Sequence, residues 1–317
     1  MDGVGQKIKA RKGETAHRKT LKKRHNHYFL YALLAPALIL TIIFKYVPMY
    51  GAVIAFKDFS PLKGIMRSDW VGFKYFEKFL NSPNFTDIFT NTISLSLFGL
   101  ICSFPIPIVL ALMLNQVRQA KIKKNVQLIL YAPNFISVVV IVGMLFIFLS
   151  PVGPINQLVS AIFGQPLMFM SEPGYFRSIY ILSGIWQGAG WSSIIYVAAL
   201  AGVDPELHNA ASLDGANIFQ RILHIDLPTI RPIMAIVFIL AAGGIMSIGF
   251  EKAYLMQTSM NLPSSEIIST YVYKVGLQAG DYSYSAAVGL FNSVINVFLL
   301  VAVNFVVKKL NEGEGLY

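Results

Sequence analysis

Five stretches, residues 91–114, 126–149, 178–202, 232–250 and 286–307, contain no Asp, Glu, Lys or Arg. The hydrocarbon core of a bilayer is crossed by about 20 mainly apolar helical residues. A charge at the centre of such a helix costs about 2.5–3.5 kcal/mol on insertion scales. Spans therefore exclude charge, whereas helices on a soluble surface need a solvated face. A sixth run, 28–50, holds only Lys45, beside Tyr46 and close to Tyr50. That ammonium can snorkel to an interface and reads as an anchor. Only structures that satisfy their own backbone hydrogen bonds can cross lipid. The expected fold is therefore all-α: a polytopic membrane protein with six transmembrane helices in a single domain, residues 28–307. Composition agrees, with 55% apolar and 13% charged residues, a balance no ordinary soluble domain shows.

The net charge of +10 is concentrated where topology uses it. Nine Lys/Arg against two acids lie in 1–27, which reads as a basic, disordered cytoplasmic tail. Charge placed there touches anionic lipid and orients the chain, so nucleic acid is not the expected partner. The apolar run from Tyr28 continues past Lys45 to Ile54 without a small-residue cleavage site and reads as an uncleaved signal anchor. Loop 115–125 adds Arg118, Lys121, Lys123 and Lys124, and the tail 308–317 begins with Lys308 and Lys309. With six spans, all of these and segment 204–231 share one side. The positive-inside rule makes that side cytoplasmic, so both termini are expected inside the cell. On the other face, loop 51–90 carries aromatics suited to a helix lying in the interface. Loop 150–177 looks turn-rich, and loop 251–285 is polar and includes Tyr271, Tyr273, Tyr282 and Tyr284.

The long polar insertion at 204–231 carries the most local information. Asp204 suits an N-cap and Pro205 the first helical position. A short helix through Asn209, Ala210 and Ala211 follows, and Gly215 can supply the left-handed residue that ends it. Asn217 and Gln220 have the spacing of a capping box. Ile218, Phe219, Ile222, Leu223 and Ile225 put an apolar stripe on a second helix, which Leu227-Pro228 is expected to stop. Pro232 is expected to open the next span. The small Ala210 and Ala211 would let a partner's backbone approach closely.

Ala210-Ala211, three residues, Gly215, nine residues, Ile225, one residue, Leu227-Pro228 resembles the cytoplasmic "EAA" loop of ABC-importer permeases. The departure is Asn209 in place of the usual Glu; Glu206 lies three residues early. The resemblance implies a type I ABC-importer permease fold in a bacterial cell membrane. It implies that this loop is a coupling helix seated in an ATPase subunit. Glu206, Asn209, Ala210, Ala211, Asp214, Gly215, Leu227 and Pro228 would form the contact. It also implies a second homologous permease subunit, two ATPase subunits that bind the ATP and magnesium, and an extracellular solute-binding protein. The segments YVPMYGAVIAFKDF (46–59), WVGFKYF (70–76), FEKAYLM (250–256) and STYVYKVGLQ (269–278) resemble the carbohydrate importers of this class that handle oligosaccharides and polysaccharide fragments.

Other chemistry is missing from the sequence. There is no G-x-x-x-x-G-K-[ST] loop to cradle a nucleotide, so no cofactor is expected in this chain. Cys102 is alone, and His25 and His27 sit in the basic tail without a third ligand, so no metal site is expected. His208 and His224 read as surface residues. A secondary transporter would need ion-coupling groups within its spans and an internal repeat, and an intramembrane enzyme would need buried titratable groups. The candidate substrate path is Asn134, Trp186, Gln187, Trp191, Glu251 and Asn292. Amides there can exchange hydrogen bonds with sugar hydroxyls, and rings can stack on C–H faces. A neutral sugar suits that set, although amides and Ser183 equally serve to hold helices together. Pro105, Pro107 and Pro133 are expected kinks. Gly184, Gly188, Gly190, Gly243 and Gly244 are expected at close helix contacts.

Overall fold

The computed structural model describes residues 28, 30–246 and 248–310, with Leu310 by its backbone alone. The tail 1–27, Ser247 and residues 311–317, which enter several of the expectations above, lie outside the described residues.

The first long helix, α1 (Leu30–Phe56), leads into a short antiparallel pair, β1 (Lys57–Asp58) with β2 (Asp69–Trp70). This pair departs from the all-helical expectation and folds back part of the aromatic loop. It is followed by α2 (Lys74–Leu80) and α3 (Phe85–Gln116). Next come α4 (Ala120–Phe135) and α5 (Val138–Phe148), bent by 96° at the residues between them. After α6 (Pro154–Phe163) the chain forms α7 (Pro173–Leu200), α8 (Pro205–Leu213) and α9 (Ile218–Gly243). Short helices α10 (Phe250–Met256) and α11 (Ile268–Tyr273) precede the last helix, α12 (Tyr282–Leu310).

Among the described residues, α1, α3, α9 and α12 are long and apolar enough to cross a membrane, and the bent pair α4–α5 would make a fifth. At 28 residues α7 is long enough, but its serines, glycines and Gln187 dilute its apolarity. It is nevertheless the hub of the packing, touching α3, α4 and α9.

Three sequence expectations are corrected. The third apolar segment, 126–149, is broken at Pro133 rather than only kinked there. Pro133 lies in a 3-10 turn, Ala132–Phe135, after which Ile136 and Ser137 are extended. Proline disfavours the helical conformation and withholds a donor, so the segment breaks there, and Ser137 caps α5 through the Val140 amide at 3.4 Å. The fifth segment does not run 232–250: its helix begins at Ile218 and closes at Gly243, with α10 a separate piece. Leu227-Pro228 does not stop a helix, and Pro232 lies inside α9 rather than at its start. The reason is a π turn at Ile222–Asp226, in which the Leu227 amide reaches back to the Ile222 carbonyl. Widening the turn before Pro228 relieves the clash its ring would make with the carbonyl four residues earlier. The same arrangement precedes Pro48, where the Val47 amide donates to Ile42.

Burial falls into three clusters. One, by the elbow between α7 and α9, joins Ile108, Ala111, Tyr196, Leu200 and Ile230. A second joins Leu95, Val142, Leu149 and Phe176 to Ala253 and Met256 of α10. The third gathers Ala55, Phe79, Ile88, Tyr284 and Val288 from α1, α2, α3 and α12. Among the described residues, helix α1 joins the fold only at its end: none of its apolar window is buried.

Candidate functional site

The elbow forms as its residue types dictate. The Asp204 carboxylate accepts from the Glu206 amide at 2.9 Å, and Pro205 takes the first turn. Helix α8 ends in a Schellman closure: the Ala216 amide donates to the Ala211 carbonyl at 2.9 Å and the Gly215 amide to Ser212 at 3.2 Å. Gly215 takes φ +82°, which a side chain would oppose. The capping box is complete, with Gln220 N–H donating to Asn217 Oδ1 at 2.9 Å and Asn217 N–H to Gln220 Oε1 at 2.8 Å. Arg221 on α9 bonds the Ser212 hydroxyl of α8, tying the two arms.

Helix α8 buries none of its residues. Leu213 is 89% exposed and Phe219 82%, with Leu207, Ile218 and Leu223 also exposed. Between the arms lies a cup of about 320 Å³ lined by Ala211, Asp214, Gly215, Gln220, Arg221 and His224. Glu206, Asn209, Ala210, Asp214 and Gly215 are exposed and Ala211 is half-buried. Leu227 is half-buried, and Pro228, just past the π turn of α9, is exposed. A small, rigid, partly apolar knob of this kind is suited to a protein groove.

Sequence reading missed the residue that anchors the knob. Asp226 is 0% exposed. Its Oδ2 accepts from Gln116 at 3.1 Å, and its Oδ1 from Asn115 at 3.3 Å; His208 Nε2 lies 3.1 Å from Oδ1. His208 is thus part of a junction rather than a free surface residue. The available signal was an acid between Ile225 and Leu227, together with two amides closing an apolar run.

The candidate path residues separate into groups. Asn134 lies in the turn at the α4–α5 break, and Gln187 and Trp191 contact its neighbours there. Gln187 Nε2 donates to the Ile136 carbonyl at 3.1 Å, and the Trp191 ring meets Phe135 edge-on at 5.6 Å between centroids. Trp186 faces an apolar groove of about 400 Å³ with Ile141, Leu145 and Leu182. Asn292 lies elsewhere, donating to the Met246 carbonyl at 3.4 Å, while Asn296 donates to Gly243 at 2.8 Å. Both thus hold the unwound end of α9. Glu251 is exposed on α10.

Its neighbour Lys252 is buried, donates to the Tyr180 carbonyl at 2.8 Å and lies over the Tyr180 ring. It has no carboxylate partner among the described residues. Burial pulls its ammonium down to about 8. Gly184 makes room for it, because a Cβ there would stand 3.3 Å from Nζ. Gly184 also lines a cavity of about 240 Å³ with Ser103, Gly188 and Ser192. Among the described residues no three His, Cys, Asp or Glu side chains gather as a metal would require.

Helices long and apolar enough to cross a membrane, packed around α7, define a polytopic membrane protein. The chain belongs to the family of binding-protein-dependent transport system inner membrane components, whose model matches residues 103–312. Protein LplB of Bacillus subtilis is 43% identical over 290 residues, covering 91% of each chain. The polygalacturonan/rhamnogalacturonan transport system permease protein YteP of the same organism is also 43% identical, over 91% of this chain and 90% of its own. A solved bacterial alginate ABC transporter, in complex with an alginate pentasaccharide-bound periplasmic protein, has a chain that superposes with a TM-score of 0.84 at 36% identity. It covers 93% of this chain and 99% of that one. The fold is therefore that of the type I ABC permeases, and the chain is a multi-pass membrane permease, a transport component rather than an enzyme.

Proposed function

We propose that this chain is one of two permease subunits of an ATP-driven importer of oligosaccharides or polysaccharide fragments, and that α8 with the start of α9 is its coupling elbow. The exposed knob carries this reading. Its backbone is fixed by the Schellman closure and capping box, and its apolar tips, Leu213 and Phe219, stand exposed among the described residues. Counting α1, α3, α4–α5, α7, α9 and α12 gives six spans. The basic segments favour a cytoplasmic position in a bacterial cell for both termini, the elbow and loop 115–125. Two ATPase subunits would bind the ATP and magnesium and grip the elbow, and an extracellular solute-binding protein would deliver the sugar. Closure of the ATPases then shifts the balance between inward- and outward-facing states through contacts that differ between the two.

Asn134, Gln187 and Trp191, around the break in the third span, are the path residues we favour, with Trp186 and Glu251 at either side; Asn292 serves α9 first. An anionic oligosaccharide is favoured over a neutral one by Lys252, a buried ammonium with no carboxylate partner among the described residues, beside a cavity wall. The relatives named for polygalacturonan and alginate point the same way.

The test is the reconstituted complex in proteoliposomes, supplied with labelled oligogalacturonate or arabino-oligosaccharide. ATP-dependent accumulation of the first is expected. An Ala210→Cys variant should cross-link to an ATPase subunit. Uptake independent of ATP, or an Ala210 thiol reached only from lipid or the outer medium, would overturn the reading.

A further inference from the structure

We propose that Asp226 is a joint that makes the end of α3 move with the coupling elbow, so that a push on α8 is delivered to two spans rather than one. This rests on the elbow being the coupling site. The observation is geometric. Helix α8 buries no residue, so apolar packing does not fasten it to the bundle. Side-chain ties do: Ser212 to Arg221, which stays within the elbow, and His208 to Asp226, which leaves it. Asp226 in turn is held by Asn115 and Gln116, the last two residues before α3 gives way to the link at Val117.

One carboxylate therefore joins three elements. Its two oxygens take hydrogen bonds from α8 and from α3, while its backbone belongs to α9. The carboxylate itself is buried, its partners half-buried, and hydrogen bonds to a buried charge are directional and costly to leave half-made. The π turn at Ile222–Asp226 adds to the placement. It changes the register between the elbow arm and the rest of α9, so that Asp226 meets α3 while Ile230, one turn on, packs in the cluster of Ala111, Tyr196 and Leu200. An apolar residue at 226 would pack beside Leu227, but it could not bind the amide ends of α3 or hold His208. Rigid elements linked by a hydrogen-bond network are the kind of contact through which a local displacement travels.

The experiment uses the full complex with its ATPases in nanodiscs, with Cys102→Ser, and spin labels at Leu207→Cys on α8 and Arg118→Cys just past α3. The nucleotide is MgATP with vanadate. In the parent the distance between the labels is expected to be narrow and unchanged by nucleotide, because α8 and α3 move together. In Asp226→Asn and His208→Ala the distribution broadens, and nucleotide shifts it by about 2 Å, the size of common interface helix movements. His208→Gln, which can still donate, restores the narrow distance. A parent distance that changes with nucleotide, or variants as narrow as the parent, would overturn the joint. If Asp226→Asn fails to assemble, His208→Ala, at a side chain 26% exposed, decides the matter alone. Failure of the ATPases to co-purify with the parent would instead strike the importer reading, while broadening in the variants without nucleotide would still score the joint.

Discussion

Gln187 on α7 donates to the backbone carbonyl of Ile136 over 3.1 Å, across the point where the third apolar segment breaks. Ile136 is extended, so its carbonyl has left the helical ladder and takes its partner from another helix. In lipid such a group has no water to fall back on. Gln187→Leu is expected to leave it unpaired at a cost of about 1–3 kcal/mol. Thermal unfolding in detergent should show the midpoint falling, and an unchanged midpoint would mean the carbonyl is satisfied by other means.

The approach of α7 to α4 depends on Gly190. A Cβ there would lie 2.0 Å from the Leu130 carbonyl oxygen. Gly190→Ala must push the helices apart, with a loss of about 1–3 kcal/mol typical of overpacking. By contrast Gly188, where a Cβ meets nothing within 4 Å, should accept Ala without loss. Comparing the two variants in one unfolding assay checks the contact, and equal stability would refute it.

Gly215 holds the Schellman closure at φ +82°. Gly215→Val places a β-branched residue in the left-handed region, at a strain of about 1–2 kcal/mol. The expected outcome is normal membrane insertion with ATP hydrolysis uncoupled from uptake. Uptake per ATP in proteoliposomes measures it. A normal ratio would remove the closure from coupling.

Trp191 and Phe135 stand edge-to-face beside the break. Aromatic contacts of this type are worth about 0.5–1.5 kcal/mol, or about 2- to 12-fold in affinity. Trp191→Ala should raise the sugar concentration for half-maximal uptake by about that factor, and an unshifted curve would place Trp191 outside the path.

Lys252 gives a pH signature. Its ordinary value of 10.5 falls to about 8 on folding because burial disfavours the charge. Below about 8 both folded and unfolded chains hold the proton and the full penalty applies. Between about 8 and 10.5 only the unfolded chain holds it, so stability rises with pH across that window. Lys252→Met should lack this rise while weakening uptake of oligogalacturonate more than of a neutral oligosaccharide. Parallel stability profiles for parent and variant would show that the ammonium is not buried as described.

The elbow was legible in detail because its caps are local: Asp204, Gly215, Asn217 and Gln220 each act within a few residues of themselves. The apolar segments were legible as well, since charge is excluded from them whatever they pack against. Their boundaries were not. Leu227-Pro228 reads as a stop until the π turn absorbs it, and a turn one residue wider leaves no mark in composition. Pro133 reads as a kink, but the right-angle break also has Gln187, 51 residues away, donating to the carbonyl of Ile136. Asp226 was invisible for the same reason: its partners come from Asn115, Gln116 and His208, and no periodicity connects them.

Helix α1 is fastened at one end only, where Ala55 is fully buried in the cluster around Phe79 and Tyr284, while the apolar window before it contributes nothing to the interior. Such a helix is a mast stepped at its foot and stayed by the surrounding lipid. With so little packing within this chain, its lean is free to follow the hydrophobic thickness of the bilayer. A thinner or thicker membrane would therefore tilt α1 first and leave the bundle around α7 standing as it was.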